Sequence, residues 1–203
     1  EKITKYPWYR ESDLEISNLI AQEHNLSLPI ARVLAARGYS VGRLLQNFLN
    51  PSLKEGVLHP SGLKNLIPAA QLICDFLEQQ KPIAICCDFD VDGSTSAAVL
   101  KKFFRHIGID ILLYIPDRMT EGYGPNAKAL HALKAQGAEI VLMADCGTTA
   151  FDVIAEGRSI GLDICVFDHH EQAETLPEAT WIINPKRRDD TSGFSMLAAV
   201  GDR

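Results

Sequence analysis

Three short apolar runs, each followed at once by acidic or imidazole side chains, constrain this sequence more than any other feature. The first run, residues 82–87, leads into Asp88, Asp90, Asp92 and Gly93. In an extended strand end, residues two apart share a face, so these three carboxylates would crowd together and repel one another. A fold keeps such an arrangement only around a cation, and Mg²⁺ and Mn²⁺ are the natural candidates for oxygen ligands.

Two later runs repeat this pattern. Residues 140–144 precede Asp145, and residues 164–167 precede Asp168, His169 and His170. From residue 81 onward strands and helices alternate, which is the sign of a parallel sheet. The carboxyl ends of the strands in such a sheet form the edge where ligands bind. The sequence therefore predicts that the three clusters meet at one edge.

The predicted fold class is α/β: a parallel sheet with helices on both faces, preceded by a small, mostly helical amino-terminal region. We assign residues 1–80 to the helical region and 81–203 to the sheet domain. Predicted helices are 13–24, 28–37, 41–49, 68–80, 94–108, 126–136 and 151–160. Predicted strands are 82–87, 109–115, 140–144, 164–167 and 180–183, and residues 194–201 read as the start of another helix.

Composition is that of an ordinary globular protein, with 46% apolar and 23% charged residues. The net charge of −6 argues against a general nucleic-acid binder. Five aspartates of the three clusters supply most of that charge, so two bound divalent ions would let the chain accept a polyanion. No signal peptide or membrane span is apparent, and the five cysteines form no CxxC. A cytoplasmic protein with reduced, buried thiols is expected.

The clusters permit phosphoryl chemistry. Two ions bridged by one carboxylate would supply a hydroxide nucleophile and clamp the oxygens of a phosphoryl displacement. Asp145 is the best bridging candidate, and an imidazole ligand at His169 favours Mn²⁺ over Mg²⁺. Asp168 is expected to orient a histidine from behind the ligands. His170 could donate to a phosphate oxygen, or it could be an ordinary strand-end histidine.

Three motifs carry a family resemblance. Asp88-Phe-Asp-Val-Asp-Gly, Asp145-Cys-Gly and Asp168-His-His resemble motifs I, II and III of the DHH phosphoesterase superfamily. Within it, the chain resembles the RecJ-type single-strand-specific DNA exonucleases. That narrower likeness is carried by the loop Glu121-Gly-Tyr-Gly, by a leader over residues 34–53 and by two segments over residues 183–186 and 197–201.

The resemblance implies a two-metal site holding Mn²⁺ or Mg²⁺. The metal ligands would be Asp90, Asp92, Asp145 and His169, with Asp145 bridging and Asp88 a ligand or a close neighbouring acid. His170 would contact the scissile phosphate and complete the catalytic set. The implied reaction is stepwise 5′-to-3′ hydrolysis of single-stranded DNA to mononucleotides, in recombination and DNA repair.

The implied partner is single-stranded DNA, with a single-strand-binding protein or a helicase as candidate protein partners and no membrane. Tyr123 could stack a base or pack on its own domain. Arg187, in the basic run 186–188, could contact the backbone or belong to a solvated face. A monomer is expected.

Two alternatives stay open. Another DHH branch would cleave short oligoribonucleotides, cyclic dinucleotides or polyphosphate. The family's fourth metal-binding motif and its DHHA1-type and OB-fold domains are not found in the 203 residues. We therefore expect the chain to correspond to the amino-terminal part of a RecJ-type protein, with weak or no nuclease activity alone; it could be an inactive metal-binding or interaction fragment.

Overall fold

The computed structural model describes residues 12–52, 59–122 and 124–201. The chain forms two compact units, Glu1–Leu58 and His59–Arg203. Among the described residues, no helix combines the length and the apolar character that crossing a membrane requires.

In the first unit, the described residues form three helices, close to those predicted. They are α1 (Ser12–Glu23), α2 (Leu28–Ala36) and α3 (Arg43–Leu49). Helix α2 has a proline in its first turn, where the missing N–H costs nothing. Gly38 follows it with a φ of 85°, a left-handed conformation that suits a helix end. The apolar sides of the helices form a small core of Ile20, Ala31, Leu34, Ala35 and Leu45.

The second unit alternates strands and helices. After a 3₁₀ turn (Pro60–Gly62) and α4 (Leu66–Glu78), the elements are β1 (Ile83–Cys87), α5 (Val91–His106), β2 (Leu112–Tyr114), α6 (Ala127–Ala135), β3 (Ile140–Ala144), α7 (Phe151–Ser159), β4 (Asp163–Phe167), β5 (Trp181–Ile183) and a 3₁₀ turn (Ala199–Gly201).

The five strands form one sheet in the order β2-β1-β3-β4-β5, and every pairing is parallel. The register sets Cys87 beside Ala144, Ala144 beside Phe167, and Phe167 beside Ile183. Four strands therefore end level with one another. The residues that follow them must emerge along a single edge.

Helices cover both faces of the sheet, as the alternation predicts. Ile83, Ile85 and Cys87 point into one core together with α4 and α5. Ala84 and Cys86 point into the other, together with α6 and α7. Because both faces are buried, the strands read as continuous apolar runs. The predicted fold class is confirmed.

Helix α4 buries Ala69 and Phe76 in the first of these cores. It therefore packs inside the second unit, whereas the predicted boundary at residue 80 grouped it with the helical region. The structure divides the chain between Leu58 and His59 instead.

Helix α5 begins at Val91 rather than near residue 94, because the side chain of Asp90 caps it. Asp90 Oδ1 accepts the Gly93 N–H at 3.0 Å, which satisfies one of the donors that every helix start leaves open. Asp92 and Gly93 thus lie in the first helical turn. The expectation that Asp88, Asp90 and Asp92 share one face of an extended strand end is wrong.

Two smaller differences concern element length. Strand β2 covers only residues 112–114 of the predicted 109–115. Residues 194–201 contain a single 3₁₀ turn at their end rather than the start of a helix. Of the five cysteines, four are buried free thiols and Cys74 is exposed.

Candidate metal centre

The parallel ladder continues one residue beyond the strands, which brings their terminal polar residues side by side. The N–H of Asp88 donates to the Ala144 carbonyl at 3.3 Å, that of Asp145 to Phe167 at 2.8 Å, and that of Asp168 to Ile183 at 3.0 Å. The residues that follow β1, β3 and β4 are therefore neighbours in register. Asp88, Asp145 and Asp168 are themselves buried, and these backbone hydrogen bonds hold them in place.

Asp88 is fully buried where β1 ends. Its Oδ1 accepts the Phe89 N–H at 2.7 Å. Its Oδ2 is buried and has no hydrogen-bond partner among the residues that the structure describes. Burying a carboxylate oxygen without a partner is costly, so this atom is a candidate ligand for a cation.

Asp145 follows β3 in a left-handed conformation, with φ of 61°. Its side chain is 2% exposed, and Oδ1 lies 3.3 Å from His169 Nε2. That oxygen too is buried without a hydrogen-bond partner in the described part of the chain. Burial, then the nearby charge of Asp92 and a hydrogen bond with Asp90, raises the pKa of Asp145 to about 7. The nearby charge of His170 opposes this rise but does not outweigh it.

Two groups of side chains could each hold a metal ion. Asp88, Asp90 and Asp145 form one group, and Asp145, His169 and His170 form the other. Within each group the ligand atoms lie within 4.8 Å of one another. Asp145 belongs to both groups, which is the position a bridging carboxylate requires.

Asp92 lies beside the second group but is engaged elsewhere. Its Oδ2 is 3.4 Å from His169 Nε2. Its two oxygens accept the backbone N–H groups of Ala199 and Val200, each at 2.8 Å. The structure therefore gives Asp92 an anchoring contact that the sequence did not predict, in addition to its place next to a proposed ligand.

Asp168 gathers donors from two neighbouring loops. Its Oδ1 accepts the backbone N–H groups of His169 (2.8 Å) and His170 (3.2 Å) and contacts His170 Nδ1 at 2.6 Å. Its Oδ2 accepts the Thr148 N–H at 2.9 Å. Burial alone would raise the pKa of Asp168, but the hydrogen bonds from His170 and Thr148 outweigh it and hold that pKa well below its usual range. The histidine ring that Asp168 orients is that of His170.

The bond to Asp168 in turn affects His170. That hydrogen bond raises the pKa of the His170 imidazole above its ordinary value, against the opposing effect of burial. A protonated imidazole next to an acidic cluster suits an anionic ligand. Beside it is a cleft of about 310 Å³. Its lining includes Pro125, Asp145, Gly147, Thr149, Val153 and His170.

Of the other residues predicted to contact substrate, Tyr123 lies outside the described residues. Arg187 has its side chain only 8% exposed. Its guanidinium forms a two-pronged pair with Asp189, both contacts at 2.9 Å, and donates to the Ile182 carbonyl at 2.6 Å. Arg187 thus stabilises the segment that follows β5. The guanidinium N–H groups that could bind a phosphate already bond Asp189 and the Ile182 carbonyl.

Sequence reasoning missed two polar residues that support the site. Thr148 and Asn184 are buried; Thr148 donates to Asp168, and Asn184 donates to the His170 carbonyl. Glu121, in the loop that carries part of the resemblance, accepts hydrogen bonds from Tyr114 (2.7 Å) and Asn126 (3.0 Å) ahead of α6. A signal for Asn184 was present, since it follows the fifth predicted strand as Asp88, Asp145 and Asp168 follow three of the others.

Comparison with known proteins identifies this arrangement. The family model described as "DHH family, N-terminal domain" matches residues 82–202. The chain belongs to the DHH family. The matched residues include the three strand ends at which the structure gathers the acidic and imidazole side chains.

Curated relatives of this DHH chain include single-stranded-DNA-specific exonuclease RecJ proteins. The protein of Bacillus subtilis (strain 168) is 33% identical over 187 residues, which are 92% of this chain and 24% of the relative. That of Escherichia coli (strain K12) is 30% identical over 173 residues, which are 85% of this chain and 29% of the relative. The chain thus spans about a quarter of the length of these relatives.

Two solved structures resemble the DHH chain. An exonuclease RecJ bound to manganese has a TM-score of 0.62 and 30% identity, over 71% of this chain and 37% of that one. RecJ of Thermus thermophilus in complex with Mn²⁺ has a TM-score of 0.69 over 93% of this chain and 26% of that one. At 24% sequence identity, this second likeness shows that the fold is shared and no more.

The DHH cluster fits a divalent metal on its own geometry. Two buried carboxylate oxygens, Asp88 Oδ2 and Asp145 Oδ1, lack hydrogen-bond partners among the described residues. Both belong to a group whose ligand atoms are within 4.8 Å of one another. Oxygen-rich sites with an adjacent imidazole suit Mn²⁺ and Mg²⁺.

Proposed function

We propose that this chain carries the metal-binding active-site part of a metal-dependent 5′-to-3′ exonuclease that hydrolyses the phosphodiester bonds of single-stranded DNA, in recombination and DNA repair. The observation that carries the proposal is the pair of buried, unpartnered carboxylate oxygens of Asp88 and Asp145 within the described residues. A bound cation would offset the cost of burying such atoms.

The proposed ligands divide between the two groups. Asp88 and Asp90 would hold one ion, His169 would hold the other, and Asp145 would touch both, which its membership of both groups supports. Asp92 stays a proposed ligand because of the family resemblance. When bound, divalent ions supply a more acidic attacking water and stabilise negative charge on the reacting phosphate.

His170 would act on the substrate rather than on the metal. Its Nδ1 contacts Asp168 at 2.6 Å, and this hydrogen bond raises the pKa of the ring, which favours the protonated form. A charged imidazole held at a fixed angle can donate to a phosphate oxygen as negative charge grows there. The cleft beside it, with Pro125 and Val153 on its wall, would accept the part of the nucleotide next to that phosphate.

The choice of substrate rests on the relatives. Several RecJ proteins at 30–33% identity are named single-stranded-DNA-specific exonucleases, which supports single-stranded DNA over short oligonucleotides. Direction of cleavage, a single-strand-binding protein or helicase as partner, a monomeric state and a cytoplasmic location stay predictions.

The test compares the chain with its Asp145→Asn variant and with Asp163→Asn as a matched control. Asp163 is also a strand aspartate, but it begins β4 and bonds Thr180 at the opposite end of that strand. Mn²⁺ binding is measured by calorimetry. Cleavage is followed on 5′-phosphorylated long single-stranded DNA, on a linear dinucleotide and on a cyclic dinucleotide.

We expect Mn²⁺ binding in the wild type and in D163N but not in D145N. Release of mononucleotides from long DNA by the chain alone should be weak, and it should be lost in D145N and kept in D163N. Cleavage of the dinucleotides alone would favour another DHH branch. Mn²⁺ binding without any cleavage would mean that these residues form a metal-binding fragment. Cleavage that persists unchanged in D145N would contradict the proposed centre.

A further inference from the structure

Asn184 lies where β5 ends, next to the residues that hold His170, and its side chain is fully buried. Its Nδ2 donates to the Thr148 hydroxyl and to the His170 carbonyl oxygen, each at 2.9 Å. Its Oδ1 accepts the Lys186 N–H at 2.8 Å. Every hydrogen-bonding atom of this amide is therefore used, and it joins the segments that follow β3, β4 and β5.

The orientation of the amide is fixed by the backbone. A backbone N–H can only donate, so the atom that faces Lys186 must be the oxygen. A backbone carbonyl can only accept, so the atom that faces His170 must be the nitrogen. The amide cannot be turned over without breaking both contacts, which removes the usual ambiguity between Asn oxygen and nitrogen.

The same contacts lead to the His170 ring. Asn184 donates to the Thr148 hydroxyl, and the Thr148 N–H donates to Asp168 Oδ2 at 2.9 Å. The Thr148 side chain also lowers the pKa of Asp168. Asp168 then binds the ring at Nδ1. Asn184 also holds the main chain of His170 directly. Both ends of His170, its backbone and its ring, are thus tied to one buried amide.

We propose that Asn184 is a positioning residue, which through Thr148 and Asp168 sets the orientation of the His170 imidazole. Within the described residues, the hydrogen bonds of the Asn184 side chain reach none of the proposed metal ligands' side chains, and its one direct contact with a proposed site residue is to His170. The consequence for catalysis rests on the proposed function, since it assumes that His170 contacts the phosphate. Small errors in such an orientation reduce rate strongly, because a catalytic donor must meet the reacting group at the right distance and angle.

Nuclear magnetic resonance of the ¹⁵N-histidine-labelled chain tests the positioning itself. The wild type should show a low-field, slowly exchanging ring proton from the His170–Asp168 contact, assigned by its loss in His170→Gln. Asn184→Asp keeps the shape of the side chain but puts an oxygen against the His170 carbonyl, and Thr148→Val removes the hydroxyl. We expect the proton to shift or vanish in both variants.

Three controls separate positioning from packing. Thr148→Ser keeps the hydroxyl and should keep the proton. Thr180→Val removes a partly buried hydroxyl at the opposite end of the same strand pair, where it bonds Ile164 and Asp163, and should leave His170 unchanged. His131, whose ring contacts Glu156 at 2.8 Å, is an internal reference for the fold in every sample. Two variants at different positions keep the test valid if one of them fails to fold.

A second measurement concerns the reaction. On single-stranded DNA with saturating Mn²⁺, N184D and T148V should lose about 10–100-fold in kcat, as is typical when a supporting hydrogen bond is removed. Their KM and Mn²⁺ affinity should stay within about twofold of the wild type. If the wild type binds Mn²⁺ but cleaves nothing, these residues form a metal-binding fragment, and the ring proton alone decides the inference. The positioning role of Asn184 would be overturned if the wild type lacked the low-field ring proton. It would also be overturned if that proton were unchanged in both N184D and T148V.

Discussion

Gly93 lies against the main chain of Asp88 so closely that a Cβ atom at position 93 would stand 2.3 Å from the Asp88 carbonyl oxygen and 2.8 Å from its carbonyl carbon. The first turn of α5 therefore packs directly on the turn that carries the first acidic cluster. Because Asp90 caps the same helix through the Gly93 N–H, this close approach also determines where the Asp90 carboxylate lies.

Gly93→Ala should therefore destabilise the protein, although replacing glycine in a helix usually stabilises it. The new methyl group meets backbone that cannot turn away, and we expect a loss of ~1–3 kcal/mol in the free energy of unfolding. The displaced Asp88 and Asp90 should also weaken Mn²⁺ binding. Urea denaturation and Mn²⁺ calorimetry measure the two effects.

Gly62→Ala is the matched control. A Cβ atom there would make ordinary contact with the Phe194 ring, at 3.6 Å. Its free energy of unfolding should change by less than ~0.5 kcal/mol. Equal stability losses in the two variants would contradict the steric argument.

Asp145→Asn should stabilise the metal-free protein while abolishing the stabilisation that Mn²⁺ gives. The raised pKa of about 7 means that the buried carboxylate is unfavourable at neutral pH, and a tenfold change in an acid's dissociation constant corresponds to about 1.4 kcal/mol. We expect a gain on the order of 2 kcal/mol without metal at pH 8, since asparagine also tolerates the φ of 61°.

Thermal unfolding with and without Mn²⁺ checks this prediction. The wild type should gain stability with Mn²⁺ as binding to the folded state requires, and D145N should not. D163N serves again as the control, and Mn²⁺ should stabilise it as much as it stabilises the wild type. A D145N protein that is less stable than the wild type in chelator would show that Asp145 serves the fold rather than a cation.

Much of this fold was predictable because the strands are buried on both faces. Such strands appear in sequence as uninterrupted apolar runs. The polar residues that end them mark the ligand-binding edge of the sheet, even when the tertiary structure is unknown. The predicted convergence of Asp88, Asp145 and Asp168 follows from that rule alone. The fold class and the strand positions required nothing beyond local sequence.

What sequence could not supply were contacts decided by competition or by distance along the chain. The start of α5 depends on Asp90 using its side chain as a cap rather than as part of an extended strand end. Asp92 is anchored by Ala199 and Val200, more than a hundred residues away in sequence. In sequence, Arg187 looks like a basic surface residue, whereas in the structure its guanidinium bonds Asp189 and the Ile182 carbonyl. No local pattern distinguishes these outcomes.

Asp92→Ala should release the segment around Ala199 and Val200. The carboxylate accepts both of their N–H groups at 2.8 Å, and losing a charged acceptor of two partly buried donors should cost ~1–3 kcal/mol. Hydrogen exchange should show the two amides losing protection, while the β3 amides keep theirs. Asp152→Ala, which removes an exposed acidic residue from the first turn of α7, is the control. Unchanged hydrogen-exchange protection of the residue 199 and 200 amides in D92A would contradict the anchoring role of Asp92.

Stability in acid should report the pairing of Asp189 with Arg187 and Lys64. Arg187 bonds both carboxylate oxygens at 2.9 Å, and Lys64 Nζ lies 2.9 Å from Oδ2. Arg187 first, then Lys64, hold the pKa of Asp189 well below its usual range. A carboxylate with a lowered pKa adds stability above its unfolded value, about 3.9, and loses it as the pH falls towards the folded value.

The wild type should therefore exceed Asp189→Asn in the free energy of unfolding by a constant amount between about pH 5.5 and 7, and the difference should shrink below about pH 4. The advantage should be modest, because the Asp189 side chain is half exposed and solvent and salt screen its charge. Urea denaturation across this pH range measures it, with Asp152→Asn as a control whose difference from the wild type should not show this loss. A wild-type advantage that grows as the pH falls would have the wrong sign for a lowered pKa and would refute the assigned pairing.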